Sequence, residues 1–316
     1  GIGTPEEDGA GGGHAHSGTM IYLGDNWPAQ YRGQVFMNNI HGRRINHDRL
    51  IRKGSGYTAK HAPDVMRARD PWFVGVTLAY GPDGGVYVSD WSDTGECHHR
   101  INTRKHTGRI YKIVYGKPKP WKGDIDKLSD EELVKLQFHP NDWFVRHARR
   151  VLQERKADTS VLAKTLKSRN PVPLRLRALW ALRVTGNLDE KRLEGLLQDS
   201  SEHLRAWAIQ LLCENKKPSA AARGEFARMA REDKSPIVRM YLASGMTRTS
   251  IAQRAEVLAG LLSHAEDATD PNLPHLYWYA TEPVIAANKT AAIQLLAKTK
   301  IPKVRQFITR RLAAGK

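Results

Sequence analysis

The sequence predicts a multidomain protein of α and β structure, in which a β-sheet module precedes an array of helical repeats. An arginine that follows an aliphatic residue recurs at separations of 31, 28, 34 and 66 residues: Arg146, Arg177, Arg205, Arg239 and Arg305. A period in the thirties is typical of helical repeats, which bury their apolar faces against one another. Before residue 120 the apolar residues alternate with a period of two, which is typical of strands.

The helical part is predicted to cover residues 124–316. Its first helix should begin at Ser129, because Ser129 and Glu132 have the spacing of a capping box. Each repeat combines a Pro or Asp turn, the aliphatic-Arg pair and an Ala- and Leu-rich helix, and this pattern resembles HEAT repeats. We expect each recurrent arginine to tie neighbouring repeats together through carbonyls or carboxylates. Residues 117–123 are predicted to be a linker, because two prolines interrupt this stretch.

The preceding module is predicted to cover residues 20–116, after a flexible glycine-rich tail over 1–19. Strands are expected at 34–38, 85–90 and 109–115, and residues 81–84 read as a tight turn. The succession of turn, strand, polar loop and Gly-Arg-Ile strand resembles a β-propeller blade and occurs twice. Propellers have about four to eight blades, so a partial β-propeller-like module is expected.

Charge and cysteine content exclude several classes of site. The net charge is +17, of which residues 1–120 contribute +5 (16 Lys/Arg against 11 Asp/Glu) and the remainder +12 (34 against 22). We interpret the excess mainly as solvated helix faces, and its even spread argues against nucleic-acid binding. The two cysteines form no CxxC pair, which excludes a zinc knuckle or covalent haem attachment. No apolar run reaches the ~18 residues of a membrane span.

Several motifs in a fixed order carry a family resemblance: residues 14–22, 24–28, 37–42, 54–57, 81–91, 95–98, 108–112, 278–283 and 301–308. Together they resemble the PVC-type haem-binding proteins described as membrane-bound dehydrogenases. In that family a sorbosone/glucose-dehydrogenase-like propeller precedes HEAT repeats and a cytochrome c module. The resemblance implies a periplasmic or otherwise extracytoplasmic protein that oxidises a sugar or alcohol and passes electrons to a cytochrome c domain or protein. The haem-binding CxxCH motif is absent from this sequence.

The resemblance implies a substrate site on two loops of the sheet module. His41 is the candidate base for a hydroxyl proton, with Asp90 as its catalytic partner, and a histidine that bonds its own loop backbone is the alternative. The residues expected to contact a carbohydrate substrate are Asn38, Asn39, Arg43 and Trp91. Related enzymes carry Ser-Trp-Asn-Arg where this chain has Arg-Arg-Ile-Asn at 43–46, which argues against a quinone cofactor.

A divalent metal, calcium or a transition metal, is the cofactor that the polar residues suggest. His14 and His16 would share one face of a strand, although a mobile tail explains them equally well. The second candidate cluster follows Asp90 and contains Asp93, Glu96, Cys97 and His98. Alternatively, these carboxylates pair with Arg100, Arg104 and Arg109 around a long loop.

Three functional hypotheses follow. The first is a partial sugar- or alcohol-dehydrogenase-like module of a periplasmic redox protein, with the helical repeats as its scaffold. The second is a non-catalytic scaffold that binds carbohydrate or protein. The third is nucleic-acid binding by a basic HEAT-type surface, which predicts an affinity that falls steeply with salt.

Overall fold

The structure is a computed structural model and describes residues 15–92 and 106–314. The described residues form two compact units. The sheet unit comprises residues 15–51, 58–92, 106–164 and 180–185, and the helical unit comprises residues 52–57, 165–179 and 186–314. No helix among these residues has both the length and the apolar character needed to cross a membrane.

Seven antiparallel strands form two open sheets in the sheet unit. The first has the order β1-β2-β3-β4, and the second has the order β5-β6-β7. The bounds are β1 His16–Ile21, β2 Val35–Asn39, β3 Arg44–Lys53, β4 Gly56–Arg67, β5 Gly75–Tyr80, β6 Val86–Asp90 and β7 Arg109–Ile113. Neither sheet closes into a barrel or propeller within the described residues. Residues 16–19, predicted as part of a tail, belong to β1, in which His16 and Ser17 pair with Asn39 and Asn38 of β2.

The predicted turn at 81–84 is confirmed and connects β5 to β6. The Gly84 amide donates to the Gly81 carbonyl at 3.0 Å, and Gly84 has a φ of +74°. Only glycine adopts this left-handed conformation without strain. The Gly84 carbonyl accepts a hydrogen bond from the Tyr22 hydroxyl at 2.8 Å. Tyr22 is fully buried in an aromatic core with Trp27, Phe36 and other apolar residues, so the turn is attached to that core.

Among the described residues, twelve α-helices follow the strands. Their bounds are α1 Asp130–Lys135, α2 Asp142–Arg155, α3 Ala163–Lys167, α4 Val172–Val184, α5 Glu190–Leu196, α6 Glu202–Cys213, α7 Ala220–Glu232, α8 Pro236–Met246, α9 Ala255–Leu261, α10 Leu273–Ala287, α11 Lys289–Lys298 and α12 Pro302–Ala313. The predicted capping box is confirmed: Ser129 accepts from the Glu132 amide, and the Glu132 carboxylate accepts from the Ser129 amide at 2.8 Å. Both bonds satisfy donors that the first helical turn would leave unpaired.

In the helical unit, alternate helices lie side by side in two rows. One row contains α6, α8, α10 and α12, and the other contains α7, α9 and α11. Two of the recurrent arginines bind carboxylates. Arg205 donates to both oxygens of Asp233 at 2.8 and 2.9 Å, and Arg239 donates to both oxygens of Asp267 at 2.7 and 2.5 Å. Each arginine thus binds the carboxylate 28 residues later in the chain, just before the next helix of the same row.

The two compact units do not divide at the predicted linker, residues 117–123. Helices α1 and α2 group with the sheets. The Asn141 side chain, at the start of α2, donates to the Gly81 carbonyl at 3.0 Å, and Trp143 packs against the aromatic core of the sheets. The tip of the β3–β4 hairpin, residues 52–57, groups with the helical unit. There Ser55 donates through its amide to Asp270 at 2.8 Å and through its hydroxyl at 2.7 Å.

Candidate functional site

Asp90, predicted to be catalytic, is the hydrogen-bonding centre of the second sheet. Its side chain is fully buried at the end of β6. One carboxylate oxygen accepts from the amides of Val74 and Ser92 at 2.8 and 2.9 Å. The other oxygen accepts from Arg109 at 3.0 and 2.8 Å. This geometry joins the segment before β5 to β6 and β7, and it leaves no face of the carboxylate open to a substrate.

Arg109 extends this network to the surface. Its guanidinium donates to Asp70 at 2.9 Å and lies over the ring of Tyr111, 5.3 Å from the ring centroid. A hydrogen bond from the Trp72 amide, and then the bond from Arg109, lowers the pKa of Asp70. The same bond from Asp70 raises the pKa of Arg109. Asp70 and Asp90 therefore share the Arg109 guanidinium.

His41, the candidate base, lies in the tight turn of residues 40–43 between β2 and β3. Side chains of the adjacent residues make hydrogen bonds to the backbone of this turn. The Asn39 side chain accepts from the Gly42 amide at 2.7 Å, and the Arg44 guanidinium donates to the Gly42 carbonyl at 3.2 Å. Arg43 has a φ of +50°, an unusual conformation for a residue with a side chain, and it donates to the Phe73 carbonyl at 3.0 Å. The His-Gly turn thus has a fixed backbone.

The predicted substrate residues Asn38 and Asn39 are both fully buried. Neither polar atom of the Asn38 amide has a hydrogen-bond partner among the described residues. Its side chain lies against Gly18 and Gly75, where an added Cβ would come within 3.0 and 2.3 Å of the amide. Asn38 is therefore enclosed within the sheet unit rather than placed at a surface.

The two predicted loops converge on residues 73–75, which the sequence did not single out. Arg43 binds the Phe73 carbonyl, Asp90 binds the Val74 amide, and Gly75 pairs with Asp90 across β5 and β6. Trp91, the last predicted substrate residue, is 62% exposed beside them. Of the predicted substrate residues, only Trp91 is exposed enough to meet a large ligand.

The metal predictions fall mostly on residues outside the described ranges: His14, Asp93, Glu96, Cys97 and His98. His16 lies on β1, and its ring is 3.5 Å from the Asn39 amide nitrogen. Within 15–92 and 106–314, no group of three or more His, Cys, Asp or Glu side chains is arranged to hold a metal ion.

Two concave sites of the helical unit were not identified by the sequence analysis. The loop groove, a cavity of about 950 Å³, is formed by residues 167–175, 199–205 and 234–236. The α6–α8 groove, of about 560 Å³, is formed by residues of α6, α8 and α10 and by Glu214 and Arg248. Both volumes lie in the range of ligand sites, about 300–1,000 Å³.

The α6–α8 groove combines an apolar part with a polar rim. Met240, Tyr241 and Leu276 supply the apolar part, and Gln210, Glu214, Ser244 and Arg248 supply the rim. Burial raises the pKa of Tyr241, whose hydroxyl has no hydrogen-bond partner in the described part of the chain. Burial also raises the pKa of the neighbouring Cys213 thiol to about 11, so Cys213 is a packing residue and not a nucleophile.

A repeated sequence feature could have indicated the loop groove. Asp199-Ser200-Ser201 and Asp233-Lys234-Ser235 are 34 residues apart. In each, the aspartate accepts a hydrogen bond from the amide of the serine two residues later, at 2.8 and 2.9 Å respectively. The repeated Asp-x-Ser turn therefore places equivalent loops at one end of successive helices.

A family model matches the first part of the chain. A family described as "Domain of unknown function (DUF7133)" matches residues 5–117, which is about a third of the chain. Nothing among the curated proteins matches this sequence. The matched segment ends beside the break predicted from the prolines at 118 and 120, so the sequence before this break is similar to that family.

Proposed function

We propose that this chain is a non-catalytic binding scaffold whose helical unit carries the ligand sites. The observation that supports this most directly is the position of Asp90. A general base must come within hydrogen-bond reach of the proton that it removes. The carboxylate of Asp90 is fully buried and already accepts hydrogen bonds from Val74, Ser92 and Arg109.

The ligand that best fits the α6–α8 groove is a neutral carbohydrate. A sugar has C–H faces, which pack on an aromatic ring, and hydroxyl edges, which need planar donors and acceptors. Tyr241 offers the ring, while Gln210, Glu214 and Arg248 offer the polar groups. This partner agrees with the family resemblance, which also implies a carbohydrate.

The architecture is of the kind expected for such a scaffold. The 34-residue spacing, the two rows of helices and the repeated arginine–aspartate pairs support a HEAT-like solenoid. The two antiparallel sheets support a partial, blade-like module. Extracytoplasmic location, a metal ion and a cytochrome c partner remain predictions from the sequence and the resemblance.

Calorimetric titration with neutral oligosaccharides, beside a dye-linked oxidation assay on the same sugars, tests this proposal. We expect binding without dye reduction, and we expect Tyr241→Ala to weaken binding at least tenfold. Tyr279→Ala is the matched control, because Tyr279 is 61% exposed on α10 and does not line the groove. Sugar-dependent dye reduction that disappears in His41→Ala would instead support the redox-module hypothesis.

A further inference from the structure

Among the described residues, the loop groove combines acidic side chains that have a partner and basic side chains that lack one. Its acidic residues are already paired. Asp199 binds Arg175 at 3.1 Å, and Glu202 binds Arg52 at 2.9 Å and also Ser235. The bond from Arg52 lowers the pKa of Glu202 to about 2. An arginine therefore binds each of these two carboxylates.

Three cations of the same groove have no such partner. Lys167, Arg169 and Lys234 are exposed, and none of them makes a hydrogen bond or ion pair to any residue in the described ranges. Some other cations of the unit, such as Arg228, Arg231 and Arg311, do bind a carboxylate. Because arginines already balance the acidic residues of the loop groove, these three cations give the groove a net positive charge.

Neutral hydrogen-bonding groups lie between the three cations. Asn170, Ser200 and Ser201 line the groove, and the Ser201 side chain makes no capping bond to its own helix. Hydroxyl and amide groups both donate and accept, so they can bind the N–H and C=O groups of an extended peptide. Val172 and Pro236 are the apolar residues of the lining, which contains no aromatic side chain.

We infer that the loop groove binds an acidic peptide segment, whose Asp or Glu side chains pair with Lys167, Arg169 and Lys234. Single-stranded nucleic acid fits less well, because its bases need aromatic stacking platforms. Its evenly charged backbone would also approach the carboxylates of Asp199 and Glu202. A peptide with intermittent carboxylates can place them at the three cations and avoid the two acids. This site is separate from the α6–α8 groove and does not depend on carbohydrate binding.

Fluorescence anisotropy with a labelled Glu-Ser repeat peptide tests the inference on the whole chain. We expect the triple variant Lys167→Gln, Arg169→Gln, Lys234→Gln to weaken binding about tenfold, which corresponds to about 1.4 kcal/mol. The matched control is Lys289→Gln, Lys298→Gln, Arg310→Gln, which removes the same charge from exposed helical positions outside the groove. We expect this control to change the affinity by less than twofold.

Three results would overturn the inference. The first is no binding by the unmodified chain, and the second is an equal loss of binding in both triple variants, which would indicate attraction by net charge alone. The third is a labelled oligothymidine that binds as tightly as the Glu-Ser peptide, or more tightly, and loses this binding only in the groove variant. That result would assign the groove to nucleic acid. A Gln-Ser repeat peptide should not bind. Circular dichroism of all variants checks that the helices remain folded, and Tyr241→Ala should leave peptide binding unchanged.

Discussion

The repeated arginine–aspartate pairs predict that equivalent arginines contribute very unequally to stability. Arg239 and Asp267 are 3% and 2% exposed, and the Tyr277 hydroxyl also donates to Asp267 at 2.7 Å. In Arg239→Met the aliphatic stem is retained, but the Asp267 carboxylate is left buried without its cation. Removing one partner of a buried ion pair costs about 3–5 kcal/mol. We therefore expect a loss of this size in the free energy of unfolding.

The matched control is Arg305→Met, because Arg305 occupies the equivalent helix position 66 residues later. Arg305 is exposed, and the one hydrogen bond found for it within the described residues goes to the Thr299 carbonyl at 3.3 Å. An exposed substitution of this kind changes stability by about 0.5 kcal/mol or less. The two variants should therefore differ by at least about 2 kcal/mol.

Urea denaturation followed by far-ultraviolet circular dichroism measures both variants. For a slope of about 3 kcal/mol/M, Arg239→Met should lower the midpoint by about 1 M. The double variant Arg239→Met, Asp267→Leu should recover part of the loss, because it removes the unpaired charge as well. Equal effects of Arg239→Met and Arg305→Met would refute the reasoning, since burial would then not determine the energy of these contacts.

Three further predictions concern individual side chains. Arg52 lowers the pKa of Glu202 to about 2, so the contribution of this pair to the free energy of unfolding is fully present above pH 4.5 and is lost as the pH falls from there through 2. Glu202→Gln should flatten this acid dependence in urea titrations at successive pH values. Burial raises the pKa of Cys213 to about 11, so iodoacetamide at pH 8 should modify the Cys213 peptide only after unfolding, as read by mass spectrometry. Rapid labelling of Cys213 in the native chain would contradict its burial. Asp90→Ala should cost about 3–5 kcal/mol because it leaves buried amides unpaired, whereas Asp70→Ala, at a carboxylate with 36% exposure, should cost about 1 kcal/mol or less in thermal melts.

Features that depend on neighbouring residues were predictable from the sequence. The capping box at Ser129 and the turn at 81–84 each involve contacts within four residues, and both are confirmed. The strands expected at 34–38, 85–90 and 109–115 are observed within one or two residues of those bounds. The β3–β4 hairpin was largely missed, because its many charged residues hide the alternating pattern by which exposed strands are usually detected.

Features that depend on distant partners were not predictable in the same way. The residue types at Asn38, His41 and Asp90 suit a catalytic site and a hydrogen-bonded structural site equally well. What separates the two interpretations is the identity of their partners, such as Val74 and Arg109, which lie 16 and 19 residues from Asp90. Only the folded arrangement shows that both oxygens of this carboxylate are occupied.

The same principle explains why charge counts alone gave an incomplete account of the helical unit. An even spread of lysine and arginine along the sequence suggested solvated helix faces. Pairing is uneven, however, because Arg205 and Arg239 each bind an aspartate 28 residues away, while Lys167, Arg169 and Lys234 bind none among the residues described. A cation already bound to a buried carboxylate has little remaining attraction for a ligand, whereas an unpaired cation retains it in full. The residues that attract a partner are therefore identified by which charges are left over after folding, and not by their density in the sequence.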